Sequence, residues 1–208
     1  MSSALTQPDD LQLVLPPLPR PASPPARGQV DALGPLDLGV LADIAAGLAF
    51  SFRPTSLTPD ALSPNGRDGF EGVEHQGGDL RRFARLLHTP AYEAWLIEWE
   101  AAADLELHDH GGSRGAFHVV DGALVEAHSD LAEPAPLQTL RIGADEGREV
   151  TATRVHRVWN PGPARAVSVH VYSPPLSSMT FYDNRADSFL APLRTEIVVG
   201  VPEAGGAR

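Results

Sequence analysis

The stretch LHDHGGSRGAFHVVDG, residues 107–122, carries most weight in the fold prediction. It contains the end of a polar strand and two glycine-containing turns, Gly111-Gly112 and Asp121-Gly122. His108 and His110 are separated by one residue, and positions i and i+2 of a strand point to the same face. Both imidazoles can therefore converge on one ion inside a barrel, while Asp109 faces the other way. Imidazole suits iron, zinc, copper and nickel alike. Two polar residues on an exposed strand would give the same short pattern.

Short apolar stretches separated by Gly, Pro and Asp clusters surround this segment from residue 80 onward. Candidate strands recur about every 8–12 residues, which is typical of a sandwich or barrel and not of βαβ units. Asp121-Gly122 stands between two apolar runs and predicts a hairpin over residues 119–126. Residues 36–50 carry apolar side chains at helical spacing, with Asp37 in the first turn. The sequence predicts a mainly β fold, a small antiparallel β-barrel or jelly roll with an N-terminal helical segment.

The N-terminal part of the chain has a different composition. Residues 16–25 read PPLPRPASPP, with six prolines in ten positions. Proline removes the amide donor and fixes φ, so this stretch favours an extended, solvated chain. We predict a disordered segment over residues 1–33 and one domain over residues 34–208. A loop rich in Pro, Ser, Asn and Gly is expected at residues 54–78.

Composition excludes several classes of function. The formal net charge of the 208 residues is −11, and an acidic surface repels phosphate backbones and anionic lipid. All 16 basic residues are arginine and cysteine is absent, which excludes Schiff-base lysines, disulfides, thiolate nucleophiles and iron–sulfur clusters. The N-terminus lacks a basic segment followed by an apolar run, and no apolar run is long enough for a membrane span. We expect a cytoplasmic monomer without nucleic-acid or membrane partners.

Residues 166–176 read AVSVHVYSPPL, a strand with period-2 alternation. Its valines alternate with three polar side chains, which are Ser168, His170 and Tyr172. Polar groups inside a barrel need hydrogen-bond partners, whereas an ordinary half-exposed strand would alternate in the same way. With a histidine-rich barrel strand upstream, we favour a hydrogen-bonded relay that ends at a metal.

His156 begins an H-x3-N element that ends at Asn160. Together with residues 108–122, this element resembles the two-part pattern of the cupin superfamily, H-x-H-x4-E-x6-G followed by H-x3-N. Gly115 stands where many cupins place a fourth, carboxylate ligand, so three histidines are left. Three neutral imidazoles leave the full charge on a divalent metal and favour an anionic substrate donor such as a thiolate.

The segments HDHGGSRGAFHVVDG and HRVWNPGPARAVSVHVYSPPLSSMTFYD resemble the cysteine dioxygenase family of cupins, over roughly residues 80–183. The resemblance implies that iron(II) is held by His108, His110 and His156. It also implies a relay of catalytic residues formed by Ser168, His170 and Tyr172, with Tyr172 facing the substrate. Gly115 replaces the cysteine that mammalian-type members crosslink to this tyrosine, so Tyr172 is expected to be a free phenol, as in bacterial members.

The family binds the substrate carboxylate with an arginine upstream of the HDH strand. This implies the substrate-binding role for Arg85, in the segment FARL at residues 83–86. Arg81 and Arg82 are close enough that a different alignment would move the role, and a surface ion pair is the plain alternative for Arg85. Phe83 stands where many members have a tyrosine.

The resemblance implies iron(II)-dependent dioxygenation of L-cysteine to cysteine sulfinic acid, with L-cysteine and dioxygen as the small-molecule partners. Related enzymes that act on thiols without an amine, such as 3-mercaptopropionate, carry glutamine in place of the arginine, so Arg85 favours cysteine. A non-catalytic metal-binding cupin module and a cupin isomerase or epimerase are the alternatives from other classes.

Overall fold

The computed structural model describes residues 34–52, 80–184 and 190–198, and every element below lies in these ranges. The predictions for residues 1–33 and for the loop at residues 54–78 lie outside the described residues. The described chain forms one helix, α1 at Leu38–Ser51, followed by eleven strands.

The strands are four to eight residues long. They are β1 Arg81–His88, β2 Glu93–Trp99, β3 Asp104–His108, β4 Arg114–Asp121, β5 Ala123–Asp130, β6 Gln138–Gly143, β7 Gly147–Val150, β8 Arg154–Trp159, β9 Ala166–Ser173, β10 Ser178–Asn184 and β11 Leu190–Ile197.

The strands form two antiparallel sheets. One has the order β1-β2-β9-β4-β7 and the other β11-β10-β3-β8-β5-β6. Neighbours in a sheet are mostly distant in sequence, as in a jelly roll, where the chain passes repeatedly from one sheet to the other. The predicted mainly β fold with an N-terminal helix is confirmed. Within the described ranges, no helix is long and apolar enough to cross a membrane.

The hairpin predicted at Asp121-Gly122 is wrong. Gly122 has φ 76, as a tight turn requires, and a Cβ added there would lie 2.9 Å from that of Ala166. However, β4 and β5 belong to different sheets, so the turn carries the chain across the barrel. An Asp-Gly pair reports a local positive φ, whereas the choice of pairing partner is set by contacts far away in sequence.

Helix α1 begins one position later than its acidic residue. Asp37 was predicted in the first turn, but it is the N-cap, where its Oδ1 accepts a hydrogen bond of 2.9 Å from the Gly39 amide. A short carboxylate in this position satisfies an amide that has no partner within the helix.

The helix covers the outer face of the five-stranded sheet. Its buried side chains pack on the valines of β9, and this cluster includes Leu41, Ala45, Ala49, Val167, Val169 and Val171. All eight residues of β9 are therefore buried. The half-exposed alternative for this strand is wrong, because the helix removes from water the face that would otherwise be exposed.

A second apolar cluster lies between the two sheets. Its buried members include Trp99, Phe117, Leu124, Ile142 and Val158. Phe117 stacks on the ring of His170 with 5.0 Å between centroids. The polar side chains of β9 are thus packed against an apolar interior.

Candidate metal centre

Three histidines converge inside the barrel. His108 ends β3, His110 follows two residues later, and His156 lies on β8 directly opposite His108. All three are buried. Their candidate ligand nitrogens lie within 4.8 Å of one another, and the Nε2 atoms of His110 and His156 are 3.4 Å apart.

The strand predicted to carry both His108 and His110 is shorter than expected. It ends at His108, and Asp109 fixes the segment that follows. The Asp109 carboxylate accepts hydrogen bonds of 2.7–3.1 Å from the Gly111 amide, the Thr180 amide and the Tyr182 hydroxyl. His110 is therefore placed by a side chain anchored to β10, not by strand periodicity.

The ring tautomers of two of these histidines are set by their outer partners. Nδ1–H of His108 donates to the Glu106 carbonyl oxygen at 2.7 Å, and Nδ1–H of His156 donates to Oε1 of Glu126 at 2.7 Å. In a neutral imidazole the other nitrogen then carries a lone pair. In their neutral forms, which metal binding requires, both rings would present Nε2 to the cluster as an electron donor.

The cluster fits a divalent transition metal. Burial, followed by the charge of His156, lowers the pKa of His108 and His110 well below the usual 6.5. These imidazoles are therefore neutral at neutral pH, which is the form that binds metal. Nitrogen lone pairs 3.4 Å apart repel unless a cation or proton lies between them. The all-imidazole donor set suits iron, zinc, copper or nickel.

Sequence analysis gave no role to Glu126, which the structure places fully buried beside His156. Burial raises the pKa of this carboxyl group. The hydrogen bond from His156 and the charges of His156, His128 and Arg154 outweigh burial and lower the pKa. Alternation in β5 could not have indicated it, because Glu126 shares its strand face with His128 and Asp130 as well as with Leu124.

The three polar residues of β9 form a chain of hydrogen bonds. Ser168 Oγ lies 2.9 Å from His170 Nε2, and His170 Nδ1 lies 3.3 Å from the Tyr172 hydroxyl. Trp99, also missed by sequence analysis, donates its indole N–H to Ser168 Oγ at 2.9 Å. The Tyr172 ring lies 4.9 Å from that of His110, so the chain ends beside the histidine cluster.

Trp99 gives this relay a direction. An indole N–H can only donate, so Ser168 Oγ accepts the hydrogen bond from Trp99. Among the described residues, the Ser168 hydroxyl then has His170 Nε2 as the acceptor for its own hydrogen. Burial lowers the pKa of His170 to about 3, so the ring is neutral and its proton lies on Nδ1, facing Tyr172. Burial, and then the charge of Glu93, raises the pKa of Tyr172. The phenol is therefore protonated and keeps its own hydrogen for donation.

Gly115 lies directly behind Tyr172. The two residues are register partners on β4 and β9, and a Cβ added at Gly115 would lie 2.9 Å from the Val171 carbonyl oxygen and 3.0 Å from Tyr172 Cδ1. The absence of a side chain here lets the phenol ring lie against the backbone of β4.

Two arginines of β1 are on the inner face of the sheet. Arg85 pairs with Trp95, which in turn pairs with His170, and Arg81 pairs with Trp99. The guanidinium carbon of Arg85 lies 5.7 Å from the Trp95 ring centroid, and that of Arg81 lies 5.8 Å from the Trp99 centroid.

Arg81 and Arg82 lie on opposite faces of the sheet and have different neighbours. The charge of Arg81 is among the influences that lower the pKa of His170 and oppose the rise at Tyr172, so it acts on the relay. The Arg82 side chain is 59% exposed and forms ion pairs with Glu98 and Glu100 on the outer face.

The crowding at Gly115 predicts opposite effects for two Gly→Ala variants. Gly115→Ala should lower the free energy of unfolding by about 1–3 kcal/mol, because the added methyl overpacks against backbone and ring. Gly47→Ala in α1 meets nothing within 4 Å and should raise it by about 0.5–1 kcal/mol. Denaturant unfolding of the metal-free proteins measures both, and equal effects would argue against the crowding.

The buried His170 predicts a pH dependence of stability. The unfolded chain takes up a proton on this residue near pH 6.5, whereas the folded protein does so only near pH 3. The free energy of unfolding should therefore fall as pH drops below 6.5, by up to about 1.4 kcal/mol per unit from this residue. In metal-free His170→Gln, the free energy of unfolding should fall less steeply between pH 6.5 and 5, by up to about 1.4 kcal/mol per pH unit. Parallel curves would show that folding does not lower the pKa of His170.

Comparison with known proteins places the chain in a family. The sequence model of cysteine dioxygenase type I matches residues 79–185. Among solved structures, KdgF from a Halomonas species is 16% identical, with a TM-score of 0.43 over 53% of this chain and 91% of that one. A Klebsiella pneumoniae protein with a double-stranded β-helix domain is 13% identical, with a TM-score of 0.41 over 58% and 90% of the two chains. The family match spans just over half of the 208 residues, and the chain therefore belongs to the cysteine dioxygenase type I family.

Proposed function

We propose that this protein is an iron(II)-dependent thiol dioxygenase that converts L-cysteine and dioxygen to cysteine sulfinic acid. One observation carries the proposal: the relay ends at Tyr172, which lies beside three buried histidines that converge on one point. Iron(II) held by His108, His110 and His156 would supply redox chemistry and open coordination positions for a thiolate and dioxygen. Both oxygen atoms enter the product, RSH + O2 → RSO2H, so no further reductant is needed.

The relay would act on the substrate through the Tyr172 hydroxyl. Trp99, Ser168 and His170 donate hydrogen bonds in sequence toward this phenol. The Tyr172 hydroxyl can therefore donate its own hydrogen bond to an oxygen atom that becomes bonded to the substrate sulfur. A fixed donor in a water-excluded site stabilises developing negative charge without reorganisation. His170 stays neutral, so the relay orients a proton and does not add a charge.

A guanidinium on the inner face of β1 would hold the substrate carboxylate. We assign this role to Arg85, which lies in the same cross-strand row as His170 and could grip a carboxylate through two parallel hydrogen bonds. Arg81 shares that face and is the second candidate. Arg82 is poorly suited, because it faces outward and is paired with two glutamates.

The function can be tested by oxygen uptake. After anaerobic reconstitution with iron(II), cysteine should be consumed faster than 3-mercaptopropionate or cysteamine, because only cysteine offers thiolate, amine and carboxylate together. Sulfinate formation should match oxygen consumption one to one. Full iron loading with no thiol-dependent oxygen uptake would refute the dioxygenase and favour a non-catalytic metal-binding module. Faster turnover of 3-mercaptopropionate would move the assignment to that thiol.

The three neighbouring arginines offer a matched series for the carboxylate role. Arg85→Gln should lower kcat/KM for cysteine by roughly 10- to 100-fold, which corresponds to the loss of a charged hydrogen-bonded pair, while iron content stays unchanged. Cysteamine turnover should be unaffected, because this thiol has no carboxylate. Arg82→Gln is the control and should behave as wild type. A loss with Arg81→Gln but not with Arg85→Gln would transfer the role to Arg81.

A further inference from the structure

The three histidines differ in what their outer ring nitrogens contact. His108 donates to a neutral backbone carbonyl, whereas the outer nitrogen of His110 is buried without a partner in the described part of the chain. His156 donates to the carboxylate of Glu126 at 2.7 Å. A negative charge therefore reaches the cluster through one imidazole.

Burial of the Glu126 carboxylate is energetically unfavourable. It is 0% exposed, and its Oε2 accepts no hydrogen bond from the described residues. The nearest further basic groups are His128, 3.7 Å from Oε2, and Arg154, 4.0 Å from Oε1, and both lie beyond ordinary hydrogen-bond distance. Burial lowers the pKa of His128, so Arg154 is the one that carries a full positive charge. A buried carboxylate costs several kcal/mol unless nearby positive charge compensates it.

A divalent cation bound by the histidines would supply such a charge on the far side of the His156 ring. We propose that Glu126 is a positioning residue for His156, whose carboxylate holds Nδ1–H, makes Nε2 a stronger electron donor, and so strengthens metal binding at the three-histidine cluster. Carboxylate partners of metal-bound histidines fix the ring tautomer and raise ligand basicity. The inference rests on the proposed function only in requiring that the cluster binds a metal.

Replacement by glutamine separates charge from shape. Glu126→Gln keeps an oxygen that can accept from Nδ1–H and changes the side-chain volume little, but it removes the negative charge. The matched control is Glu98→Gln. Glu98 is also a buried glutamate, and it accepts from Arg165 at 2.9 Å on the outer face of the other sheet.

Metal affinity and reduction potential provide readouts that do not depend on turnover. Titration with cobalt(II), followed by its visible absorption, should show binding about 10- to 100-fold weaker in Glu126→Gln than in wild type, and within twofold of wild type in Glu98→Gln. The reduction potential of the iron-loaded protein should be more positive in Glu126→Gln, because the lost carboxylate stabilises the higher-charged iron(III) more than iron(II).

The outcomes separate the two proposals. If wild type does not bind cobalt(II) or iron(II), the metal centre and the proposed function fail together. If wild type binds and Glu126→Gln matches it in affinity and potential, the role of Glu126 is overturned while the proposed function stands. If Glu126→Gln does not fold, nitrogen-15 spectra of zinc(II)-loaded wild type decide. Nδ1 of His156 must carry a slowly exchanging proton, and a freely exchanging one would overturn the inference.

Discussion

Strand β9 is buried on both faces, and this burial requires a partner for every polar group on its inner side. Helix α1 covers the valines of the outer face, while the inner face meets the apolar cluster that contains Trp99 and Phe117. Ser168, His170 and Tyr172 are buried there, and buried polar groups need hydrogen-bond partners, which these three find in one another and in Trp99. The order Trp99 to Ser168 to His170 to Tyr172 follows from that requirement, because an indole can only donate.

The same requirement governs the histidine cluster. A buried imidazole has two nitrogens, and the partner of the outer one decides which tautomer faces inward. His108 and His156 have such partners in Glu106 and Glu126, and both therefore present lone pairs to one point. The barrel thus prepares the cluster through contacts on its outer side. The relay approaches the same point from the other sheet, at the Tyr172 ring.

Sequence reasoning reached the features that have a local period. Alternation along a strand predicted the inner face of β9. The H-x-H spacing predicted that His108 and His110 converge, although His110 lies beyond the end of the strand, and His156 was expected from the resemblance to the cupin pattern. It misjudged the Asp121-Gly122 turn and the strand end at His108, because both depend on which strands become neighbours. It also missed Trp99 and Glu126, whose partners lie 69 and 30 residues away in the chain. A metal-ligand motif identifies the side chains that face a metal, but it contains no information on the hydrogen-bond partners that orient those side chains.

Gly115 and Glu126 together determine where negative charge lies relative to the three histidines. Where many cupins place a carboxylate directly on the metal, Gly115 leaves room for the Tyr172 ring. The negative charge instead comes from Glu126, one imidazole further out. A carboxylate at that distance cancels less of the metal charge than a direct ligand would, because the Coulomb interaction weakens with separation. Under the proposed function, a metal bound at the cluster would therefore still attract a substrate thiolate. Gly115 would serve that chemistry by leaving space for the Tyr172 ring, while the carboxylate of Glu126 would act on the metal only through His156.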